Sequence, residues 1–185
     1  MTTREDAPLP LFQRALGSDW SRLAAPVRSL HQVQSERRYR GRAEVTRGRG
    51  LLARLAAWFF GFPKAGRDVP LTLTKTRVGD GEIWQRDFDG RVFRSFCSPD
   101  STPGRYKERF WWFTYEQDLP VQEGAMFLPV RRGWFLGLPL PRFLLPTSES
   151  KEYAIGDVFH FDVALGAPLG GGLIVRYRGS LVPVD

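Results

Sequence analysis

A stretch of alternating residues from Asp68 onwards constrains the fold of this 185-residue chain more than any other feature. Apolar residues there tend to occupy every second position, and valine, threonine, phenylalanine and tyrosine are frequent. Turn-forming residues interrupt the pattern at short intervals. Alternation with a period of two is typical of strands buried on one face, and strands joined by short turns pair antiparallel. The sequence therefore predicts a mainly β protein.

The positions of the turn residues predict where the strands lie. After Asp68 we expect strands over residues 69–78, 82–88, 91–97, 105–116, 121–131, 133–138, 143–148, 152–165 and 172–183. Another strand is expected over residues 37–48, where arginine or glutamate occupies alternate positions. We predict a single α+β domain over residues 1–185, in which a curved antiparallel sheet forms a barrel or half-barrel. Residues 1–9 are expected to be flexible.

Two regions have helical periodicity instead. Residues 10–32 are expected to form two short N-terminal helices, divided at Gly17. Their shared apolar stripe comprises Phe12, Leu16, Trp20 and Leu23. The second region, residues 50–62, predicts a helix inserted after the first strand. It coincides with most of the most apolar segment of the chain, LLARLAAWFFGFP at residues 51–63.

The inserted helix is apolar around most of its circumference. We expect it to pack on the sheet and close one end of a pocket, burying a stripe formed by Leu51, Leu52, Leu55, Trp58, Phe59 and Phe62. A helix at a membrane surface should have one basic, polar face, and the only charged residue in this helix is Arg54. Burial against the sheet is therefore the better account, and the segment is too short to span a bilayer.

An Asp-Gly dipeptide at residues 89–90 predicts a tight hairpin. It places Trp84 opposite Ser95, and it places Arg86 opposite Phe93. One face of the hairpin then carries Trp84, Arg86, Phe88, Phe93, Ser95 and Cys97. This face is the more apolar of the two, so we expect it to point into the protein.

In the predicted hairpin at residues 159–181, large apolar residues occupy every second position of both strands. A turn centred near Leu169 places Phe161 beside Tyr177 on the core face. The same turn places Asp162 beside Arg176 on the outer face.

Arg86 is the inward residue that most needs a partner, because an unpaired buried guanidinium is costly. The partner is either an internal carboxylate or the acidic group of a bound ligand. The internal candidates are Glu108, Glu116 and Asp162.

The remaining reactive residues form no recognisable catalytic or metal-binding motif. His31 could act as a general base near neutral pH, but no serine or cysteine nucleophile motif accompanies it. Cys97 and two histidines do not make a metal site, so we expect neither a metal nor a cofactor. The inserted helix follows Gly-Arg-Gly, and its N-terminus could hold an anion beside Arg47 and Arg49.

The net charge of +7 is concentrated in the first third of the chain. Residues 1–67 carry 13 lysines and arginines and 5 acidic residues, whereas the remainder carries 14 and 15. Such asymmetry is consistent with an anionic partner: nucleic acid, acidic lipid or acidic protein. The aromatic residues fall on predicted core faces, so nucleic acid is not expected. Without a secretion signal or a long apolar run, we expect a cytoplasmic protein with no transmembrane segment.

The order of several short motifs resembles DUF4166, a bacterial family of domains of unknown function. The motifs include LFQRALG at 11–17, GRAEVTRGRGLLARL at 41–55, GFPKAGRDVPL at 61–71, WQRDF at 84–88, GLPLPRFLLP at 137–146 and VRYRGSL at 175–181. The resemblance covers nearly the whole chain. Members of that family occur alone or fused C-terminal to saccharopine-dehydrogenase-like reductases. The resemblance implies either a separate NAD(P)-dependent reductase as a partner or a small-molecule pathway shared with such a reductase. The resemblance assigns no role to any residue.

The pattern favours a binding protein, because a curved sheet lined by aromatic rings and closed by an apolar helix suits a hydrophobic ligand. The leading hypothesis is a non-catalytic binding or accessory domain for an apolar or amphipathic small molecule such as a lipid. Its candidate ligand-binding residues are Arg86, Trp84, Phe88, Phe93, Ser95, Arg47, Trp58, Phe59 and Tyr177.

Three alternatives stay open. One is an enzyme that acts on a hydrophobic substrate together with a separate reductase, with His31 as the candidate base. Another is a protein–protein interaction module with a basic docking surface. The third is a filled core without a pocket.

Overall fold

The structure, a computed structural model, describes residues 9–184, and more than half of the chain lies in one antiparallel sheet. In chain order its strands are β1 (Glu36–Arg47), β2 (Gly66–Val78), β3 (Gly81–Phe88), β4 (Arg91–Pro99), β5 (Arg105–Phe110), β6 (Phe113–Asp118), β7 (Val121–Gln122), β8 (Ala125–Phe127), β9 (Val130–Phe135), β10 (Leu138–Pro139), β11 (Thr147–Ile155), β12 (Val158–Gly166) and β13 (Leu173–Pro183). They are arranged in the order β10-β9-β6-β5-β4-β3-β2-β1-β13-β12-β11-β8-β7.

The sheet is curved, and among the described residues its two end strands do not pair, so the sheet is open. The predicted mainly β fold with a curved antiparallel sheet is confirmed, as a half-barrel rather than a closed barrel. The predicted flexibility of residues 1–9 falls almost wholly outside the described part of the chain.

A short segment connects the two sides of this half-barrel. β8 pairs with β11 near one end of the strand order, whereas β9, just after it in the chain, pairs with β6 near the other end. Between them, the Leu128 N–H donates to the Ser150 carbonyl at 3.0 Å, and the Pro129 carbonyl accepts from the Asp118 N–H at 3.1 Å. The two sides of the curved sheet therefore face each other across a common interior.

The N-terminal helices cover part of this interior. α1 (Leu11–Leu16) and α2 (Ala25–His31) flank a 3₁₀ helix (Gly17–Arg22) and lie against β4, β5, β11 and β12. The predicted apolar stripe on this region is buried, and the chain changes helix type at the predicted position, Gly17. Two further 3₁₀ helices, Arg142–Leu144 and Pro168–Gly170, lie in the connections beside β11 and β13.

The inserted helix, α3 (Leu51–Phe59), packs on β13 through its smallest residues, so the predicted burial of its large apolar stripe is wrong. Ala53 and Ala57 are buried, and of the predicted stripe only Phe62, beyond the helix end, is buried with them. The exposed members are Leu51, Leu52, Leu55, Trp58 and Phe59. Alanine allows the helix to approach the sheet closely, and an added Cβ at Gly48 would lie 3.0 Å from the Ala53 Cβ.

Three predicted strands, over residues 105–116, 121–131 and 152–165, are each divided by a turn, and the strand predicted over residues 133–138 is interrupted by a turn at residues 136–137. The first three turns fall at Trp111, Glu123 and Gly156, where φ is 52°, 49° and 57°. A positive φ takes the chain out of the extended conformation, and of these three residue types only glycine adopts it without strain. The predicted strand over residues 143–148 is also wrong, because it consists mostly of a 3₁₀ helix and a connection before β11.

The Asp-Gly hairpin between β3 and β4 has the predicted register. Trp84 pairs with Ser95 and Arg86 pairs with Phe93, and the face that carries them is buried as expected. This agreement follows from the two-residue turn, which leaves a single register open to the strands.

The hairpin of β12 and β13 has the predicted faces but a register that differs by two residues. Phe161 pairs with Gly179 rather than Tyr177, because a β-bulge at residues 165–166 and the 3₁₀ turn shift the centre of the loop. A shift of two residues preserves the faces. Asp162 still binds Arg176, diagonally, at 2.6 Å.

Candidate functional site

A cavity of about 120 Å³ lies on the concave face, between the two sides of the sheet. Strands β3, β5 and β6 line one side, and β11, β12 and β13 line the other. The lining residues are Phe60, Phe62, Trp84, Arg86, Tyr106, Glu108, Phe110, Tyr115, Gln117, Leu128, Val130, Pro146, Ser148, Ser150, Glu152, Val163, Leu165, Ile174 and Tyr177. An apolar cavity of ~150 Å³ holds benzene, so this space is of the size that takes part of a small molecule.

The lining has an apolar part and a polar part. The apolar part lies toward α3 and includes Phe60, Phe62, Phe110, Val163, Leu165 and Ile174. The polar part, which we call the floor, lies farther along the same strands and comprises Arg86, Glu108, Gln117 and Glu152, whereas Ser148 and Ser150 lie level with Leu165 and Val163. On β5, for example, Phe110 is the last residue before the turn, and Glu108 lies two residues deeper. The cavity therefore changes from apolar to polar with depth.

Arg86 reaches the floor from β3 and is paired within the protein. Its Nη1 donates to Ser95 Oγ at 3.0 Å, and its Nη2 donates to Glu108 Oε1 at 3.2 Å. The guanidinium carbon also lies 4.9 Å from the Trp84 ring centre and 5.4 Å from that of Phe93. Burial alone would lower the pKa of Arg86, but the Glu108 carboxylate outweighs burial and holds this pKa above its usual value. Of the two kinds of partner that the sequence left open, the structure contains the internal carboxylate.

Glu108 is the acceptor around which this part of the floor is arranged. Its Oε2 accepts hydrogen bonds from the Tyr106 hydroxyl at 3.3 Å and from Gln117 Nε2 at 2.9 Å. Burial, and then the charge of Glu108, raises the pKa of Tyr106 well above its usual value. The Tyr106 hydroxyl therefore stays protonated and donates a hydrogen bond to Glu108.

A second buried polar cluster adjoins the floor beneath α2. Lys75 Nζ donates to the Leu30 carbonyl at 3.1 Å and lies 3.1 Å from His31 Nδ1 and 3.3 Å from Glu82 Oε2. It also lies 4.2 Å from the Trp84 ring centre. Burial lowers the pKa of Lys75, and Glu82 opposes this effect. Three acceptors match the three hydrogens of the ammonium group, which accounts for a fully buried lysine.

The contact with Lys75 determines where the His31 proton lies. An ammonium group can only donate, so His31 Nδ1 accepts and carries no proton. The ring proton is then on Nε2, which donates to Glu152 Oε2 at 2.5 Å. Burial, and then the charge of Lys75, lowers the pKa of His31, in agreement with a neutral ring. Burial raises the pKa of Glu152, but His31 and Lys75 outweigh burial and hold it below its usual value.

Three of the nine predicted ligand-binding residues line the cavity: Trp84, Arg86 and Tyr177. Burial raises the pKa of Tyr177 to about 12, so its hydroxyl is protonated. Ser95 contributes through its hydrogen bond to Arg86.

The other predicted residues lie outside the lining. Phe88 and Phe93 pack behind Tyr177, with ring centres 5.3 and 6.5 Å from it. Arg47 donates to the carbonyls of residues 62 and 63, which fixes the chain after α3. Trp58 and Phe59 lie on the exposed side of that helix.

Sequence reasoning missed several residues that give the site its charge and polarity: Lys75, Glu82, Gln117 and Glu152. A signal existed for Lys75, because it alternates with two buried leucines of β2 and so shares their inward face. Glu82 likewise shares the inward face of Trp84 on β3. His31, considered as a base, is fully buried and is separated from the cavity by Glu152.

Fold and site together define a class of protein: an open, curved antiparallel-sheet domain with helices on its concave face and a small cavity above buried ion pairs. Residues 23–181 match the family described as Domain of unknown function (DUF4166), so the chain belongs to this family. A comparison with curated proteins and one with solved structures gave no match. Within residues 9–184, no group of three or more histidine, cysteine or acidic side chains is placed to hold a metal ion. No helix in this range has the length and apolar character needed to span a bilayer.

Proposed function

We propose that this domain binds an amphipathic small molecule, such as a lipid, without transforming it. The observation that carries the proposal is the change from an apolar lining near α3 to a polar floor at depth. A ligand with an apolar tail and a polar head matches both parts, and few polar groups suffice to orient it.

The charges beneath the cavity bear on the kind of head group. The charged side chains of the floor and of the adjoining cluster are two cations and three carboxylates: Lys75, Arg86, Glu82, Glu108 and Glu152. Because the His31 ring is neutral, their sum is −1, and the outer nitrogens of Arg86 already have partners. An acidic head group would add a buried charge without a counter-ion, which is costly. A head group that donates hydrogen bonds, such as a hydroxyl, amide or amine, therefore fits better.

The protonation states also support binding over catalysis. General acid–base catalysis is most effective when a group in the site has a pKa near the working pH. The pKa of Glu152, the carboxylate that separates His31 from the cavity, is displaced downwards, away from neutrality. Its Oε2 is committed to His31 and Glu108 is committed to Arg86, so both carboxylates act as fixed acceptors.

The test compares the native chain with a variant whose cavity is filled. Val163→Phe adds a ring at the cavity wall, whereas Val182→Phe makes the same change at a half-exposed position outside the lining. Native mass spectrometry, followed by analysis of an organic extract, should find an amphipathic molecule bound near one to one to the native chain and to Val182→Phe. Val163→Phe should lack this molecule while keeping the circular dichroism of the native fold.

A titration with dodecyl amphiphiles tests the head group. The alcohol, amide and amine should bind more tightly than the carboxylic acid, and bound ligand should raise the thermal midpoint. The proposal is wrong if Val163→Phe binds as well as the native chain or if no amphiphile binds. Conversion of a bound amphiphile into a product would establish an enzyme instead.

A further inference from the structure

The apolar face of α3 has no cover in the described structure. Trp58 is 78% exposed and Leu55 is 53% exposed, although both belong to the most apolar segment of the chain. Soluble proteins seldom expose contiguous apolar surface of this kind unless it contacts a partner.

Two turns extend this face into a larger surface. The Trp112 ring centre lies 6.0 Å from that of Phe59, and Trp111 beside it is 69% exposed. The Leu136 N–H then donates to the Trp112 carbonyl at 2.9 Å, which joins the turn at residues 135–138 to the same surface. We call these parts together the apolar rim: the exposed apolar residues of α3 and of the turns at 111–112 and 135–138.

The apolar rim adjoins the apolar end of the cavity. Phe60 lines the cavity and directly follows Phe59, and Phe110 lines it and directly precedes Trp111. A surface that contacts the rim would therefore meet the apolar end of the cavity.

The segments that form the rim carry an excess of positive charge, although Arg131 and Arg132 pair with Asp118 and Glu116 just beyond it. Residues 46–67, 109–115 and 130–147 carry nine arginines and lysines and no aspartate or glutamate. Arg49, Arg54 and Lys64 among them are exposed. A second copy of the chain would bring the same positive charge to the contact, whereas a surface of anionic lipids would complement it.

From these features we infer that the apolar rim docks on a bilayer that contains anionic phospholipids. Leucine and tryptophan from α3 and from the turn at 111–112 enter the interface between head groups and acyl chains. The surrounding arginines and lysines contact the head groups. This docking is a separate property from ligand binding, although it would place the apolar end of the cavity against the membrane.

The experiment is flotation with vesicles of phosphatidylcholine, prepared with or without phosphatidylglycerol. The native chain should float with the anionic vesicles, bind poorly to the neutral ones, and dissociate as salt screens the charges. Its tryptophan emission should shift to the blue on binding, because Trp58, Trp111 and Trp112 leave water.

Matched variants separate the apolar contribution from the basic one. Trp58→Ser should weaken the partition coefficient by about tenfold or more, from the apolar area no longer buried. Arg54→Gln should weaken it about fivefold, the effect of one charge near an anionic surface. The controls are Ile155→Ser, 59% exposed in the turn between β11 and β12, and Arg38→Gln, at the start of β1. Both lie at the strand ends away from α3 and should bind as the native chain does.

Unchanged partitioning of Trp58→Ser, or no binding of the native chain to anionic vesicles, would overturn the inference. Self-association that Trp58→Ser abolishes, without any vesicle binding, would assign the rim to a second copy instead. Val163→Phe, the cavity-filled variant, should float as well as the native chain. Vesicle docking and ligand binding can therefore fail independently.

Discussion

His31 and Glu152, which are 121 residues apart in the chain, form a hydrogen bond of 2.5 Å in the interior. The bond connects the end of α2 to the middle of β11 and so fixes a helix relative to a carboxylate of the cavity floor. Since Lys75 donates to the other ring nitrogen, the imidazole bridges a cation and an anion. Helix packing and the position of the floor are therefore coupled.

Replacing His31 by alanine should destabilise the protein strongly. Glu152 would lose its donor, Lys75 would lose an acceptor, and a void would open beside Phe12, whose ring centre is 4.1 Å away. We expect the free energy of unfolding, measured in urea, to fall by about 3 kcal/mol. His160→Ala, which removes a ring stacked on Tyr153 on the outer face, should cost under about 1 kcal/mol. Equal losses for the two variants would show that the His31 bridge adds no stability.

The stability should depend on pH through the same histidine. The pKa of His31 in the folded protein lies below 6.5, its ordinary value. When the pH falls below 6.5, the unfolded chain takes up a proton that the folded protein does not, so the free energy of unfolding decreases. The slope for one proton is at most ~1.4 kcal/mol per pH unit, and the contribution is complete above pH 6.5. Below pH 4.5 the lowered pKa of Glu152 adds a further loss of the same sign.

Urea unfolding at a series of pH values checks this dependence. His31→Ala should have a flatter profile than the native chain between neutrality and pH 4.5, because the titrating ring is gone. An identical slope in the two proteins would mean that another group is responsible.

The ion pair of Arg86 and Glu108 should behave as a coupled unit. Arg86→Met leaves a buried carboxylate without its cation, and Glu108→Leu leaves the guanidinium without its anion, so each should cost about 3–5 kcal/mol. The double variant should lose less free energy of unfolding than the two single variants lose together, by more than about 1 kcal/mol. Arg176→Met breaks a largely exposed pair with Asp162 and should cost under about 1 kcal/mol. Additive losses in the double-mutant cycle would contradict the coupling.

Local sequence patterns predicted most of the long strands, because short turns with recognisable residues mark where those strands end. The dipeptide at residues 89–90 allows one register, so the inward position of Arg86 followed from the sequence. The turn at Trp111 was not predictable in the same way, because tryptophan gives no signal for a positive φ. A strong turn signal such as Asp-Gly is therefore predictive, whereas a single glycine is not, because the turn at Gly156 was missed as well.

The buried face of α3 could not be read from periodicity. Periodicity shows which residues share a face, and the larger apolar face was the natural choice for burial. The helix instead approaches the sheet through its alanines, and Ala53 lies so close to Gly48 that a Cβ there would be 3.0 Å from the Ala53 Cβ. The cluster around Lys75 was missed for a related reason. Its members come from α2, β2, β3 and β11, and only the long-range strand order brings them together.

Gly179 should be required for the pairing of β13 with β1. It lies opposite Ala43, and an added Cβ would overlap the Arg42 carbonyl oxygen and lie 3.0 Å from the Ala43 Cα. These are backbone atoms at the centre of the strand order, so Gly179→Ala can be accommodated only if the two strands separate locally. We expect a loss of about 1–3 kcal/mol in urea unfolding, with faster amide exchange along β1. Gly50→Ala is the matched control, because its nearest neighbour, the Gly171 carbonyl oxygen, would be 3.8 Å from the new Cβ. A Gly179→Ala protein as stable as Gly50→Ala would show that these strands tolerate a wider spacing.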